Sequence, residues 1–290
     1  MPSSNRLRAG LIGAAIQASR SPSMHMEEGR DQGLDLSYQL FDLDLLDGRE
    51  AELPRLLDMA EAKGFAGLNI THPCKQAVIA HLTRLSPDAQ ELGAVNTVVF
   101  SNGERVGHNT DWIGFAESLS RSLPDANLNN VLIVGAGGGG AAVAYALLKR
   151  GAVHVSIHDV DPARTRELIE RLSSAFEAGR LTACTNLEAE MRTCDGVVNC
   201  TPIGMHKYPG SPVPVETLRE QQWVGDIVYF PIETVLLKAA RARGCETLDG
   251  GGMAVFQAAA AFQLFTGRAP NQDRMLRKFQ EQIKLGARGG

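Results

Sequence analysis

The chain is short of cysteine and has none in a useful pattern: five among 290 residues, at 74, 184, 194, 200 and 245. An odd count without a Cys-x-x-Cys pair argues against a disulfide framework or a zinc cluster and suits a reducing cytoplasm. One-sided charge is also missing. With 29 Lys+Arg against 33 Asp+Glu the net charge is −4, which gives no broad field to hold a polyanion, so nucleic acid is not an expected partner. A membrane segment is not expected either. The 18 uncharged residues from Val131 to Leu148 include five glycines clustered after a short β run, which fits a phosphate-binding turn better than a span. Arg6-Leu7-Arg8 before Ala9–Ile16 superficially resembles a signal peptide. Its apolar stretch is short, holds two glycines and breaks at Gln17, so it reads as a strand and turn. Internal repeats and low-complexity tracts are absent.

What is present is an ordinary globular composition, 44% apolar and 21% charged, with enough length for two domains, each with its own core. The first third alternates β-like and helical runs: strands over Arg8–Ile12, Ser37–Leu43 and Gly67–Ile70, and helices from Ser21, over Leu53–Lys63 and from Lys75. Ser21-Pro22 reads as a helix start, with serine as the cap and proline at the first helical position. Asp111–Leu123 reads as a linking helix and Pro124–Asn130 as a breaker, which places a domain boundary near 113. The pattern then restarts as strand Val131–Val134, glycine turn, helix Ala141–Arg150, strand Val153–His158 and helix Pro162–Phe176, with further β runs at Gly196–Asn199 and Gly225–Tyr229. The fold class is therefore α/β, an N-terminal α/β domain followed by a Rossmann-like doubly wound sheet over residues 114–252. Met253–Phe265 reads as a buried helix and Gln272–Leu285 as a charged amphipathic one.

Gly135-Ala-Gly137-Gly138-Gly-Gly140 matches G-x-G-x-x-G directly after a strand and opening a helix. Missing β-carbons let the backbone approach a pyrophosphate, and the helix N-terminus offers it free amides. The next strand ends at Asp159, 24 positions after Gly135. A carboxylate there accepts both ribose hydroxyls of NAD and repels the extra phosphate of NADP. The competing reading makes Asp159, with Asp161, a cap for the helix from Pro162. Arg164, one turn into that helix, is placed to pair with a 2′-phosphate. The expectation is NAD preferred and NADP tolerated.

Polar residues collect at predicted strand ends in the first domain: Ser19 and Ser21, Asn69 to Lys75, Asn96-Thr97 and Asn109-Thr110-Asp111. Together they suggest a hydroxyl-rich ligand. Lys75 and Asp111 have catalytic potential for oxidising a secondary alcohol, where a group must take the hydroxyl proton as hydride leaves. Desolvation lowers a lysine pKa and a neighbouring aspartate raises it. Lys75 as base, and a charged Lys75 stabilising an alkoxide while Asp111 exchanges the proton, both stay open. His154 and His158 share a strand face without a third metal ligand nearby, so no metal is expected. Cys74 reads as a packing residue.

These blocks, in this order, resemble the shikimate/quinate dehydrogenase family from about Gly10 to Gly267. The resemblance rests on Ser19-Arg-Ser21-Pro22, Asn69-Ile-Thr71-x-Pro73-x-Lys75, Gly93-Ala-Val-Asn96-Thr97, Asn109-Thr110-Asp111 and the glycine turn. Further on it rests on Asn199-Cys-Thr201-Pro202-Ile203-Gly204-Met205, Tyr229-x-Pro231-x-x-Thr234 and Gly252-Met253-x-x-x-Gln257. It implies a two-domain nicotinamide enzyme with a cleft between the domains and helices 253–290 completing domain 1–113. Lys75 and Asp111 would be the catalytic dyad. Ser19 and Ser21, assisted by Tyr229, would hold the substrate carboxylate, and Asn69, Thr71, Asn96 and Gln257 the ring hydroxyls. Gly135, Gly137 and Gly138 would meet the pyrophosphate and Asp159 the adenosine ribose, with Thr201, Met205 and Gly252 along the path to the nicotinamide.

The chain departs from the NADP-using members, which usually carry Asn-Arg-Thr after the second nucleotide strand, where it has His158-Asp159-Val160-Asp161. Cys74 stands where an aromatic residue is common, and Met26 where asparagine is frequent. These differences shift the resemblance toward NAD-linked quinate/shikimate or rifamycin-cluster-like branches. The expected reaction is reversible hydride transfer between the shikimate C3 hydroxyl and NAD, giving 3-dehydroshikimate, with quinate as a second candidate, in a cytoplasmic monomer or homodimer. Two alternatives are an enzyme for an amino-shikimate or other substituted cyclohexene acid, and a non-catalytic ligand sensor on the same fold.

Overall fold

The computed structural model describes residues 6–286. Contacts divide the chain into two compact units, Met1–Thr110 with Gln257–Gly290, and Asp111–Phe256. Among the described residues no helix is long and apolar enough to cross a membrane.

The first unit runs β1 (Leu7–Gly13), α1 (Ser21–Asp31), β2 (Leu36–Asp42), α2 (Leu53–Ala62), β3 (Gly67–Ile70), β4 (Arg84–Leu85), α3 (Pro87–Leu92), β5 (Thr97–Ser101) and β6 (Glu104–His108). Its sheet has the order β2-β1-β3-β5-β6-β4. β2, β1 and β3 are parallel, and β3-β5 and β5-β6 antiparallel. Side chains alternate across β1: Ala9 and Leu11 join Tyr38, Ala261 and Phe265 on one face, and Ile12 joins Phe41, Leu57, Leu68 and Ile70 on the other. Burial on both faces is why the strand reads as a nearly unbroken apolar run.

The helix expected from Lys75 is instead a turn followed by a single 3-10 stretch, Ala77–His81. The Lys75 carbonyl accepts the Val95 amide at 2.9 Å, a bond outside the helical ladder that stops an α-helix from starting there. Asn102 and Gly103 (φ 52° and 77°) make the tight left-handed turn between β5 and β6.

The second unit runs α4 (Asp111–Ser122), β7 (Asn130–Val134), α5 (Gly138–Lys149), β8 (His154–His158), α6 (Pro162–Ser173), β9 (Leu181–Ala183), α7 (Leu187–Thr193), β10 (Gly196–Asn199), β11 (Trp223–Asp226), α8 (Val235–Ala242) and β12 (Glu246–Leu248). Its sheet is parallel throughout, with the order β12-β11-β10-β7-β8-β9. Strand order reverses between β7 and β10, the position at which open α/β sheets bind ligands beyond their carboxyl ends. β11 stops at Asp226, earlier than the expected Gly225–Tyr229 run, because the Asp226 carboxylate accepts the Val228 amide at 3.0 Å and bends the chain.

Two helices close the chain, α9 (Gly250–Thr266) and α10 (Gln272–Gly286). α9 is buried over most of its circumference at Val255, Phe256, Ala258, Ala259, Ala261 and Phe262, as its uniformly apolar sequence requires. α10 is fastened to α1. Arg274 places two nitrogens on the buried Glu28 carboxylate at 2.7 and 3.0 Å, and the Asn271 amide adds a third bond at 2.8 Å.

Candidate active site

The glycine turn lies at the strand-order reversal. Gly135 has φ +108°, and a Cβ there would sit 2.9 Å from the Cys200 carbonyl carbon, so the turn lies hard against the end of β10. Gly140 is more restricted: a Cβ would fall 1.9 Å from the Gly135 carbonyl oxygen. Gly137 precedes α5 with no side-chain cap, and its Cβ position has no atom within 4 Å. Gly138 opens the helix three residues earlier than the periodicity predicts. Tight at Gly135 and Gly140 and open at Gly137, this cradle suits a dinucleotide's phosphates.

Asp159 follows β8. One of its oxygens accepts the Ala136 amide at 2.7 Å and the other the Asp161 amide at 2.9 Å. The helix cap is Asp161, whose carboxylate accepts the Ala163 amide at 3.0 Å. Asp159 therefore belongs to the glycine turn rather than to the cap of α6. Val160 is 94% exposed. Arg164 is also exposed and lies 3.7 Å from Asp161.

Beyond β10, Asn199 and Asp226 organise two loops. Asn199 accepts the amide and hydroxyl of Thr201 at 2.9 and 2.7 Å, and donates to the Ile203 carbonyl and the Asp226 carboxylate at 2.8 and 2.9 Å. Asp226 also accepts the Thr234 hydroxyl at 2.8 Å. Burial pushes its carboxyl up to about 6 despite these three donors. One buried pair thus holds both the Thr201–Met205 segment and the loop bearing Tyr229. Met205 and Tyr229 are themselves exposed. Gly252 lies in the first turn of α9, where a Cβ would meet Ser118 Oγ at 2.1 Å.

In the first unit, the register pairs Gly13 with Asp42, Ile12 with Ile70, Asn69 with Thr97, and Thr97 with His108. Hence the Ser19–Ser21 loop, the Thr71–Lys75 turn, Asn96 and Asn109-Thr110 all emerge from one end of one sheet. The Thr71 amide donates to the Ile12 carbonyl, and the Ala14 amide to the His72 carbonyl, both at 2.9 Å. α1 begins at Ser21 itself, and the Ser19 hydroxyl accepts the Ser21 amide at 3.3 Å. The Ser21 hydroxyl interacts instead with the Tyr38 phenol. The loop takes its shape from Asp42, which is buried and accepts the amides of Ala15 and Ile16 and the Gln17 side chain at 3.1, 3.2 and 2.9 Å. Those bonds hold the Asp42 carboxyl below its ordinary range against the opposing effect of burial.

Asn69 and Asn96 are buried in a connected network. The Tyr38 hydroxyl donates to Asn69 Oδ1 at 2.8 Å, Asn69 Nδ2 donates to Thr97 Oγ1 at 3.0 Å, and Thr97 Oγ1 donates to Asn96 Oδ1 at 3.0 Å. Lys75 is half-buried at the end of its turn. Asp111 is buried and is the first residue of α4, so the division between the units falls between the two halves of the expected dyad. Gln257 is half-buried in α9, where the first unit resumes. Cys74 is fully buried, and burial lifts its thiol to about 11, which keeps it protonated and unreactive. Among the described residues no three His, Cys, Asp or Glu side chains gather as metal ligands.

Sequence reasoning missed Tyr38, Asp42 and Asp226. Each ends or interrupts an apolar β run with a polar group, a signal that was available.

Two family models match the chain: a shikimate dehydrogenase substrate binding domain over residues 11–98 and a shikimate 5'-dehydrogenase C-terminal domain over residues 250–278. The chain is 52% identical to a shikimate dehydrogenase (NADP(+)) of Streptomyces avermitilis, covering 94% of each. It is 48% identical to a quinate/shikimate dehydrogenase (NAD(+)) of Corynebacterium efficiens, covering 93% of this chain and 96% of that one. Among solved structures, a quinate dehydrogenase from Corynebacterium glutamicum in complex with NAD superposes with a TM-score of 0.91 at 46% identity, covering 95% of this chain and 99% of that one.

Proposed function

The chain belongs to the shikimate/quinate dehydrogenase family of NAD(P)-dependent oxidoreductases, and from that membership we propose that it is an NAD-preferring shikimate dehydrogenase, with quinate as a second substrate. The observation that carries the cofactor preference is Asp159. Its carboxylate is held against the glycine turn by Ala136, where an anion attracts ribose hydroxyls and repels a 2′-phosphate. Exposed Val160 supplies no guanidinium to offset that repulsion. The NAD-linked relative carries both acids in its name, which supports quinate as the second substrate.

In this reading Ser19, Ser21 and Tyr229 bind the substrate carboxylate, and Asn69, Thr71, Asn96 and Gln257 bind the ring hydroxyls. Gly135, Gly137 and Gly138 bind the pyrophosphate, Asp159 and Arg164 flank the adenosine ribose, and Thr201, Met205 and Gly252 line the nicotinamide path. When bound, the nicotinamide supplies the hydride acceptor. Lys75 and Asp111 manage the proton of the hydroxyl being oxidised: one receives it, and the other stabilises the charge that develops on oxygen. The enzyme works in the cytoplasm as a monomer or homodimer.

The test is a matrix of shikimate and quinate against NAD and NADP, read as reduced nicotinamide formed. Shikimate with NAD should give the highest kcat/KM. Absence of turnover with either acid, in folded protein that binds NAD, would reject the activity. A higher kcat/KM with NADP would reject the cofactor preference alone.

A further inference from the structure

The loop from Ala14 to Ser19 is shaped from outside itself. Ala15 sits at φ +53°, a left-handed conformation that residues with a side chain seldom adopt, and the Ser19 amide closes the loop on the Ile16 carbonyl at 2.9 Å. What fixes the turn is the buried Asp42 at the end of β2. One Asp42 oxygen accepts the Ala15 and Asp44 amides at 3.1 and 3.2 Å, and the other accepts the Ile16 amide and the Gln17 side chain at 3.2 and 2.9 Å. A carboxylate has about four acceptor sites, so these donors fill it. At the far end of the loop the Ser19 oxygen takes the Ser21 amide at 3.3 Å, and among the described residues the Ser19 hydroxyl hydrogen goes to no acceptor. Ser19 therefore has an O–H to give to an anion.

We propose that Asp42 is a positioning residue for substrate binding: its carboxylate holds the Ala15–Ile16 turn and, through the bond between Ile16 and Ser19, sets the Ser19 hydroxyl to donate to the substrate's carboxylate. This rests on the reading above, in which Ser19 binds that carboxylate. The donor count requires the ionised acid, and the same bonds hold its pKa below the ordinary value, so the anion is present at neutral pH. An amide in its place would carry hydrogens on one side. Turned toward Gln17, it could be matched by rotation of the Gln17 amide, but the buried Ile16 amide has no such freedom and would lose its acceptor. Turned the other way, it would oppose the amides of Ala15 and Asp44. Either way the turn that leads to Ser19 is released.

The experiment compares Asp42→Asn with the wild type. The shikimate KM should rise about tenfold, with kcat and the NAD KM nearly unchanged, the pattern of lost uniform binding. An unchanged shikimate KM would overturn the inference. So would an equal fall in kcat or an equal rise in the NAD KM, which is what general damage to the fold produces. In a Ser19→Ala background the same substitution should have little further effect on kcat/KM for shikimate, and a full additional loss would show that Asp42 does not act through Ser19. If Asp42→Asn fails to unfold cooperatively, Gln17→Leu decides, because Gln17 is exposed and its loss leaves the three main-chain bonds in place. That variant should raise the shikimate KM about threefold with the NAD KM unchanged, and no rise would overturn the inference. Absence of wild-type turnover on either acid would instead overturn the functional reading, and this inference with it.

Discussion

The Asp159 carboxylate reaches back 2.7 Å to the Ala136 amide, tying the end of the second nucleotide strand to the turn that follows the first. The residue that would discriminate between cofactors is thus part of the loop that would hold their phosphates. Removing the side chain would damage both functions at once.

For that reason the informative variant keeps an acceptor for the Ala136 amide and removes the charge, at the cost of the bond from the Asp161 amide. Asp159→Asn with Val160→Arg should lower the ratio of kcat/KM for NAD over NADP by about 100-fold. Steady-state kinetics with both cofactors measure it, and an unchanged ratio would count against the ribose contact.

Lys75→Ala should lower kcat by about 100- to 10,000-fold, the usual span for losing a general acid–base group, with NAD affinity nearly intact. Stopped-flow turnover combined with a fluorescence titration of NAD separates the two quantities. A variant that turned over at wild-type speed would remove Lys75 from the chemistry.

His25 sets a limit on acid stability. Its ring stacks on Tyr38 at 4.8 Å between Phe262 and Phe265, both ring nitrogens are without hydrogen-bond partners among the described residues, and burial lowers its pKa to about 3. The unfolded chain therefore takes up a proton that the native state refuses. Stability from the neutral ring is present above about pH 6.5 and is lost at about 1.4 kcal/mol per pH unit as pH falls from there toward 3. His25→Phe should flatten that slope and gain about 2 kcal/mol over the wild type at pH 5, read from urea melts at a series of pH values.

Asp226 acts in the opposite sense. With its folded pKa raised to about 6, the native state holds the proton more tightly than the unfolded chain. The resulting stability is fully present below about pH 4 and is lost as pH rises through 6, a change of about 3 kcal/mol. Asp226→Asn should abolish this component, so the stability of the variant relative to the wild type should rise between pH 5 and pH 8. A constant difference across that range would show that the group does not titrate there.

How much of this could be read from the chain depended on whether the cause was local. Gly67–Ile70 and Gly196–Asn199 match their strands end to end, because a short apolar run bounded by turn residues carries its own limits. The helix expected from Lys75 failed because Val95, twenty residues on, takes the Lys75 carbonyl. The β5–β6 hairpin carried an Asn-Gly signal that the dominant α/β rhythm hid. At the proposed site, residue types such as Asn69, Asn96 and Asp159 were visible through their motifs. The groups that orient them were not, since Tyr38 is joined to Asn69 across the sheet and Asp42 to Ala15 across 27 positions.

The clasp between Glu28 and Arg274 has a consequence for biosynthesis. Helix α1, which carries Ser21, packs against α10, whose Arg274 lies 246 positions after Glu28, and the β1 face bearing Ala9 and Leu11 is closed by Ala261 and Phe265 from the helix before it. On the ribosome, the nucleotide unit has all its strands once Leu248 has emerged. The first sheet must wait, one apolar face uncovered, until Ala261 and Phe265 have emerged. A nascent chain should therefore engage chaperones through β1 and its neighbours, and a deletion of α9 and α10 should register as a folding defect in the sheet that begins with β1.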